Sequence, residues 1–413
     1  MNLPVYLKRY AYPKRYLTVD WKEENPDLIV VLPAHHEPDL IVALESLEAC
    51  AVPVGYRVSV ITVINASAQS SEEIKSFNEA SYTQALKWSE GKRLNYHFIL
   101  ENELPPKHAG VGLARKIGMD EAARAFVELD RDGVILCYDA DSTCSTHLIQ
   151  ECIQLFESDK NIPGCSIYYE HPLEGELPAD QYIGIVGYEL HLRYYIDALK
   201  WAGFPYAFQT IGSSMAVRTS AYMKQGGMNR RKAGEDFYFL HRIIPLGNFR
   251  DLNTACIYPS ARVSDRVPFG TGKAIGDWMG SSSEVYPSYD PRVFEDLKVF
   301  MDAVDGMYQS DQLADIYAQL PESFQHFLPQ DEFLDILYEI NSQSTNLQTF
   351  QKRFYQWFDG FKVLKYVHHA RDHFYPNVSV GEACDWLLGK IGLEPARSDR
   401  EKLIQLRKWD RGF

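Results

Sequence analysis

Asp27-Leu-Ile-Val-Val-Leu-Pro33 is a short apolar run that ends at a proline. A second run, Tyr56-Arg-Val-Ser-Val-Ile-Thr-Val-Ile-Asn65, is rich in β-branched residues. Both runs are typical of buried strands. Between them Leu40, Leu44 and Leu47 recur at the spacing of one helix face. The sequence therefore predicts a strand, a helix and a second strand in succession.

The same alternation continues along the chain. We predict a helix over Glu72–Trp88, a strand over Leu94–Leu100, a helix over Val111–Leu129 and a strand over Gly133–Tyr138. Apolar strands that alternate with helices predict an α/β fold, with a mostly parallel sheet flanked by helices. Ligands of such sheets bind beyond the carboxyl ends of the strands, so the residues that follow each strand are expected to converge there.

The pattern changes near Asp290, after which apolar residues recur at helical spacing and strand signals become rare. A chain of 413 residues exceeds what one hydrophobic core usually holds. We therefore predict an α/β domain over 1–288 and a helical C-terminal domain over 289–413. The Gly-, Ser- and Thr-rich stretch from Phe269 to Ser283 predicts a loop before the helices. The predicted helical segments are Val293–Met307, Gln312–Leu320, Phe333–Ile340, Thr349–Tyr366 and Val380–Ile391.

Composition excludes some classes of protein. A formal net charge of -14 argues against a protein that mainly holds nucleic acid, because that affinity comes from neutralising phosphates. Seven scattered cysteines without a CxxC pair predict reduced thiols. Neither a signal peptide nor an apolar run of about 18 residues is apparent. We predict a cytoplasmic protein without a transmembrane segment, and contact with a membrane surface stays open.

Two carboxylates, Asp139 and Asp141, follow the predicted strand Gly133–Tyr138. Carboxylate oxygens at the carboxyl end of a strand suit Mg²⁺ or Mn²⁺, hard cations that can also bind a diphosphate. Acidic residues are also common in ordinary turns after strands, where they bind no metal. The pair alone therefore leaves a metal site and a turn as alternatives.

A second acidic motif is Gly234-Glu-Asp236, which opens a predicted helix. A carboxylate placed there could take a proton from an attacking hydroxyl group. The alternative is helix capping, because acids near a helix N-terminus compensate the helix dipole. The motif alone does not distinguish these two roles.

The order of these segments resembles the family 2 glycosyltransferases of the GT-A fold. Each segment is short, and the resemblance rests on their joint order over residues 27–245. It implies that 1–288 is a GT-A domain for a nucleotide-diphospho-sugar. The matching segments are Val31-Leu-Pro-Ala-His-His-Glu37, Ile64-Asn-Ala-Ser67, Gly110-Val-Gly-Leu-Ala-Arg115, Asp139-Ala-Asp141, Gly212-Ser-Ser-Met-Ala-Val-Arg218, Gly226-Gly-Met228 and Gly234-Glu-Asp236.

The resemblance implies a nucleoside site. Pro33 and Glu37 would lie beside the nucleoside, and Asn65 stands where the family often has an acid that recognises the base. An amide can both donate and accept hydrogen bonds, so the identity of the base stays open. The residues themselves leave two roles open for His35 and His36: metal binding, or contact with the nucleotide or backbone, which is favoured because no second histidine follows at helical spacing.

The resemblance also implies a diphosphate and metal site. Gly110 and Arg115 would approach the donor, because a guanidinium pairs with phosphate or with a carboxylate. Their alternative role is helix capping and a surface ion pair. Asp139 and Asp141 would bind Mn²⁺ or Mg²⁺, which neutralises the departing diphosphate.

Further segments would complete the site. Gly212 and Ser213 would contact the acceptor or a phosphate. Arg262 and Arg266 lie in a loop that could close over the diphosphate or hold an anionic acceptor; ion pairs in an ordinary surface loop are the alternative. This loop departs from the Gln/Arg-x-x-Arg-Trp element of processive synthases, so the resemblance favours transfer of a single sugar.

The activity implied is transfer of a sugar from a UDP- or GDP-sugar to a saccharide or other hydroxyl acceptor. Asp236 would be the general base of an inverting reaction, and Glu235 would orient the acceptor or the base. Two alternatives stay open. One is a retaining glycosyltransferase of the same fold, and the other is a non-catalytic protein that binds a sugar or nucleotide.

Overall fold

The structure is a computed structural model that describes residues 4–264, 270–281 and 285–412. Its contacts divide the chain into two compact units. Residues 1–177 and 210–276 form the first unit, and residues 178–209 and 277–413 form the second. The domain boundary at 288 stays a prediction.

The first unit is built on a mixed sheet. In the described part of the chain, eight strands pair in the order β3-β2-β1-β4-β7-β6-β8-β5. These strands are β1 (Leu28–Ala34), β2 (Val58–Ser67), β3 (Asn95–Leu104), β4 (Val134–Cys137), β5 (Thr143–Cys144), β6 (Gly164–Tyr169), β7 (Met215–Arg218) and β8 (Arg250–Tyr258). Two short strands, β9 (Pro287–Ser288) and β10 (Val378–Ser379), pair in the second unit.

Helices make up most of the remaining regular structure. They are α1 (Val5–Arg9), α2 (Trp21–Glu24), α3 (Leu40–Glu48), α4 (Glu72–Ser89), α5 (Val111–Glu128), α6 (Leu148–Ser158), α7 (Ala179–Trp201), α8 (Thr219–Lys224), α9 (Glu235–Ile243), α10 (Thr271–Met279), α11 (Pro291–Ala303), α12 (Leu313–Ala318), α13 (Glu322–Phe327), α14 (Gln330–Ser342), α15 (Leu347–Trp357), α16 (Gly360–His373), α17 (Val380–Ile391) and α18 (Asp399–Asp410). Single 3₁₀ turns cover Ile244–Leu246 and Asp305–Met307.

The α/β fold class is confirmed. Strands β3, β2, β1 and β4 run parallel, as the alternation of strands and helices predicts. Beyond β4 the sheet becomes mixed, because β7 pairs antiparallel with both β4 and β6. The carboxyl ends of β1, β2 and β4 therefore meet at one edge of the sheet.

The core of the first unit forms around β1. Every residue of β1 is buried, which explains why its sequence is a continuous apolar run rather than an alternating one. Helix α5 packs closely on this strand. A Cβ atom at Gly118 would lie 2.4 Å from Cγ1 of Val31, so only glycine permits this approach.

The second unit is helical, and its core is aromatic. Phe300 stacks on Phe324, with ring centroids 4.2 Å apart, and contacts Phe354 and Phe358. The helical C-terminal region predicted from the sequence is confirmed. Among the described residues, no helix combines the length and apolar character needed to cross a membrane.

The loop predicted from Phe269 to Ser283 is wrong for its central part, because helix α10 occupies Thr271–Met279. Ile275 on this helix is fully buried. Burial of an apolar face outweighs the low helix propensity of the glycines around it. Phe269 and Ser283 lie outside the described residues.

Candidate active site

The turn after β4 carries the first pair of acids. The Tyr138 hydroxyl donates to the Ser142 carbonyl oxygen at 2.9 Å, and the Ser142 N–H donates to the Asp139 carbonyl oxygen at 3.1 Å. These bonds tighten the turn that contains Asp139 and Asp141. The Asp139 side chain is 33% exposed, and Asp141 is also partly exposed.

Arg115 lies at the centre of the site, buried in the first turns of α5. Its Nη2 atom donates to Oδ1 of Asp139 at 2.6 Å, and its Nη1 atom donates to the Glu235 carboxylate. Burial lowers the pKa of Arg115, but the carboxylates of Asp139 and Glu235 raise it by a larger amount, so the net shift of the pKa is upward. The guanidinium therefore joins the two acidic motifs, which are far apart in sequence.

Glycines make room for this arrangement. A Cβ atom at Gly212 would lie 2.6 Å from Nη1 of Arg115. A Cβ atom at Gly112 would lie 2.2 Å from the Arg231 carbonyl oxygen, and one at Gly110 would lie 2.9 Å from Cα of Lys232. The glycines before and within α5 thus let the segment that precedes α9 approach the helix start.

Glu235 and Asp236 open α9, and their environments differ. Glu235 is buried against Arg115, whereas Asp236 is partly exposed. Oδ2 of Asp236 accepts the Gly212 N–H at 2.7 Å, and Oδ1 accepts the Phe237 N–H at 2.7 Å. These bonds fix the orientation of the carboxylate.

Burial raises the pKa of both acids. For Glu235 it rises to about 7, although Arg115 acts in the opposite direction. For Asp236 it rises above the ordinary value, although Arg115 and the backbone N–H groups of Phe237 and Gly212 act in the opposite direction. The charges of Arg115 and Asp139 both act on the pKa of Asp236, so the two acidic motifs lie close enough to interact.

The ends of β1 and β2 form a second group of polar residues. Pro33 lies within β1, one residue before its end. The side chain of Asn65 is buried and donates to the Ala34 carbonyl oxygen at 2.9 Å. Nδ1 of His35 lies 2.8 Å from the Asn65 carbonyl oxygen. Asn78 of α4 also donates to this oxygen, at 3.0 Å. The side-chain amide of Asn65 therefore binds the backbone at the end of β1.

Glu37 is buried after β1 and forms an ion pair with Arg262. Nη1 of Arg262 also donates to Oδ2 of Asp39 at 2.9 Å. These ion pairs connect the segment after β8 with the segment after β1, and a role of Arg262 in binding phosphate or acceptor stays a prediction. Arg266 lies outside the described residues.

Gly212 and Ser213 precede β7 and have different surroundings. Gly212 contacts Asp236 and Arg115, as described above. Ser213 is buried, and its hydroxyl oxygen lies 3.4 Å from that of Ser214. The central group of the site thus contains Gly110, Arg115, Asp139, Gly212, Glu235 and Asp236.

Sequence reasoning missed two supporting residues, Asp39 and Asn78. Asp39 sits before α3 and binds Arg262, which is more than 220 residues away. Asn78 is buried on a mainly polar helix. Because its neighbours in sequence are also polar, no pattern marks Asn78 as buried. Two acids close together, Glu37 and Asp39, are a recognisable signal, but the sequence does not show that Arg262 is their partner.

The two acids after β4 fit a divalent cation. Both offer hard oxygen ligands and both are partly exposed. Across residues 4–264, 270–281 and 285–412, no three His, Cys, Asp or Glu side chains form a metal-binding cluster. Proteins commonly bind Mg²⁺ through one or two carboxylates together with water and substrate phosphates.

Comparisons with known proteins give no family. No family model matches the chain, and no curated protein matches it. A crystal structure of S. aureus TarS 1-349 in complex with UDP-GlcNAc is 11% identical, with 80% of this chain and 91% of that chain covered and a TM-score of 0.39. Mannosyltransferase PcManGT from Pyrobaculum calidifontis, in complex with GDP-Man and Mn2+, is 13% identical, with 98% and 93% covered and a TM-score of 0.33. At TM-scores below 0.5, these likenesses assign neither family nor activity to this chain.

Proposed function

We propose that this protein is a glycosyltransferase that transfers a sugar from a nucleotide-diphospho-sugar to a hydroxyl acceptor, in a metal-dependent and inverting reaction. One observation carries the proposal. Asp139, at the end of β4, and Glu235 with Asp236, at the start of α9, meet around the buried guanidinium of Arg115. Acids that converge at the carboxyl edge of an α/β sheet are placed where such sheets bind ligands.

Asp139 and Asp141 would hold Mn²⁺ or Mg²⁺. When bound, the ion would supply Lewis-acid stabilisation of the negative charge on the diphosphate. Arg115 acts on this site through Asp139, because its guanidinium binds Oδ1 of that residue. We therefore assign Arg115 a positioning role rather than a direct phosphate contact.

Asp236 would be the general base. It is partly exposed, and two backbone N–H groups fix its orientation. Its raised pKa brings it closer to the operating range of a base near neutral pH. Glu235 is buried on Arg115 and so is suited to holding the acids in place, not to meeting the acceptor hydroxyl.

The donor nucleoside would lie beside the ends of β1 and β2. Pro33, His35, Glu37 and Asn65 border that region. Because Asn65 binds the Ala34 carbonyl oxygen and Glu37 binds Arg262, both would shape the nucleoside site, with His35 nearer the ligand. Gly212, Ser213 and Arg262 would lie towards the acceptor or the phosphates.

The proposal is tested by release of UDP or GDP from UDP- and GDP-sugars, with and without Mn²⁺. Donor hydrolysis needs no knowledge of the acceptor. Removing a general base lowers turnover by about 10² to 10⁴-fold, and we expect a loss in this range for Asp236→Asn. The control is Asp302→Asn, which alters an exposed acid on α11. If neither removal of the metal nor Asp236→Asn changed turnover, the catalytic assignment would be wrong.

The stereochemistry needs a separate experiment. Once a sugar acceptor is found, NMR of the product gives its anomeric configuration. Inversion relative to the donor agrees with direct displacement assisted by Asp236. Retention would assign Asp236 to acceptor or metal binding instead.

A further inference from the structure

Two cysteines from distant parts of the first unit meet beside the candidate active site. Cys50 lies just after α3, and Cys144 ends β5. Their Sγ atoms are 3.6 Å apart, although 94 residues separate them in sequence. A disulfide has an S–S bond of about 2.05 Å, so a modest shift of the two side chains would bring the sulfurs to bonding distance.

Ser46, on the last turn of α3, holds both thiols in this arrangement. Its hydroxyl accepts the Cys144 N–H at 2.9 Å and lies 3.5 Å from the Cys144 Sγ atom. Its carbonyl oxygen accepts a hydrogen bond from the Cys50 Sγ atom at 3.4 Å. Ser46 thus contacts both cysteines of the pair.

The two cysteines differ in exposure and in acidity. Cys144 is partly exposed, whereas Cys50 is buried. A hydrogen bond from Cys50, helped by Ser46 and Tyr138, lowers the pKa of the Cys144 thiol. The pKa of Cys50 is raised, first by its bond to Cys144 and then by burial. The thiolate is the reactive form of cysteine, so Cys144 is suited to react first.

We propose that Cys50 and Cys144 form a reversible disulfide, with Cys144 as the attacking cysteine and Cys50 as the resolving one. The site is independent of the glycosyltransferase proposal, because it rests on the two sulfurs and on Ser46. It provides a place for modification by a small-molecule disulfide such as oxidised glutathione.

The reaction takes two thiol–disulfide exchange steps. The Cys144 thiolate attacks one sulfur of oxidised glutathione, forms a mixed disulfide and releases one glutathione thiolate. Cys50 then loses its proton to solvent and attacks the Cys144 sulfur, which forms the Cys50–Cys144 bond and releases the second glutathione thiolate. Two protein thiols are oxidised and one glutathione disulfide is reduced, so the electrons balance.

The disulfide would join two segments that border the candidate site. Strand β5 begins two residues after Asp141, and α3 begins three residues after Glu37. Oxidation would therefore tie the segment after the β4 acids to the helix that follows β1. Any effect on turnover rests on the proposed function, but formation of the bond does not.

The test is a thiol map of the full chain. The reduced protein is equilibrated in glutathione buffers of increasing oxidised fraction, and its free thiols are then trapped with N-ethylmaleimide in denaturant. Peptide mass spectrometry is expected to show a Cys50–Cys144 crosslink and the loss of two of the seven thiols. Dithiothreitol should restore all seven.

Variants separate this proposal from general oxidation. In Cys50→Ser, Cys144 should instead carry one glutathione, because its resolving partner is gone. The matched control Cys152→Ser, which changes a buried cysteine on α6, should keep the crosslink. The proposal is overturned if wild-type protein shows no Cys50–Cys144 peptide at any buffer ratio, or if Cys144 in Cys50→Ser gains no glutathione. Both readouts are independent of enzymatic activity.

Discussion

Arg115 packs closely against Gly212 in the candidate site. The guanidinium is buried between Asp139 and Glu235, and its position requires that residue 212 carry no side chain. Removing one partner of a buried ion pair leaves an uncompensated charge, which is costly. Glycine at position 212 therefore leaves room for the side chain of Arg115, which lies almost a hundred positions earlier in the sequence.

Gly212→Ala is expected to destabilise the protein. Its Cβ atom would lie 2.6 Å from Nη1 of Arg115, and overpacking of this kind costs about 1 to 3 kcal/mol. The control is Gly389→Ala on α17, where no atom lies within 4 Å of the added Cβ atom. There the higher helix propensity of alanine should raise the free energy of unfolding by about 0.5 to 1 kcal/mol. Urea denaturation measures both changes; equal stabilities for Gly212→Ala and the wild type would contradict the close contact.

The sequence predicted which residue types to expect at the site but not how they pair. Asp139 and Asp236 stay predicted site residues, and each was identified from a local signal, the end of a strand or the start of a helix. The ion pair of Arg262 with Glu37 joins residues 225 positions apart, and no local pattern encodes it. The inward-facing amide of Asn65 was likewise not predictable, because the position of the Ala34 carbonyl oxygen depends on the strand register.

At the scale of elements, apolar periodicity predicted the strands and helices from β1 to β4, and their predicted ends differ from the observed ones by at most four residues. Strands β1 and β2 begin one and two residues later than predicted, and α4 and α5 begin where predicted. The aromatic-rich helix α7 was not predicted. Its residues are apolar around much of its surface, so periodicity gives a weak signal there. Periodicity also cannot show that α7 belongs with the C-terminal helices.

Helices α7 and α18 are joined by buried charges. Glu189 of α7 is fully buried and binds both Arg193 of the same helix and Arg407 of α18. Arg193 also binds Asp410 at the end of α18. Asp197, one turn further along α7, is buried beside this network. Its burial and the charge of Asp410 raise its pKa well above the ordinary value.

This shift predicts a pH dependence of stability. A carboxyl group whose pKa is raised by folding keeps its proton up to a higher pH in the folded state than in the unfolded state. The free energy of unfolding therefore falls as the pH rises from about 4, the unfolded-state pKa, towards the folded-state pKa. Asp197→Asn mimics the protonated acid and avoids this loss. The stability of Asp197→Asn relative to wild type should therefore rise by about 1.4 kcal/mol for each pH unit within that window.

Urea denaturation between pH 4 and pH 8 checks this prediction. The control Asp315→Asn changes an exposed acid on α12, where the difference from wild type should stay small at every pH. A constant difference between Asp197→Asn and wild type over the whole range would show that Asp197 does not control this part of the stability.

For the whole molecule, the net charge of -14 opposes binding of any phosphate-bearing ligand. The candidate site adds to this difficulty, because Asp139, Asp141, Glu235 and Asp236 are all acidic. Arg115 cannot compensate alone, since its guanidinium already binds two of these carboxylates. If the proposed function is correct, we therefore expect a diphosphate donor to bind tightly only with a divalent cation at Asp139 and Asp141.

This requirement predicts that donor and metal stabilise the protein only together. A ligand that binds the folded state alone stabilises it by mass action, by about 2.7 kcal/mol at 100 times its Kd. We expect a UDP- or GDP-sugar with Mn²⁺ to raise the Tm, whereas the nucleotide sugar without Mn²⁺ should leave it nearly unchanged. Asp141→Asn should abolish most of the combined shift by removing one carboxylate, and Asp302→Asn should keep it. A donor-induced shift of equal size with and without Mn²⁺ would show that the acids after β4 do not bind a metal, because bare carboxylates repel a diphosphate.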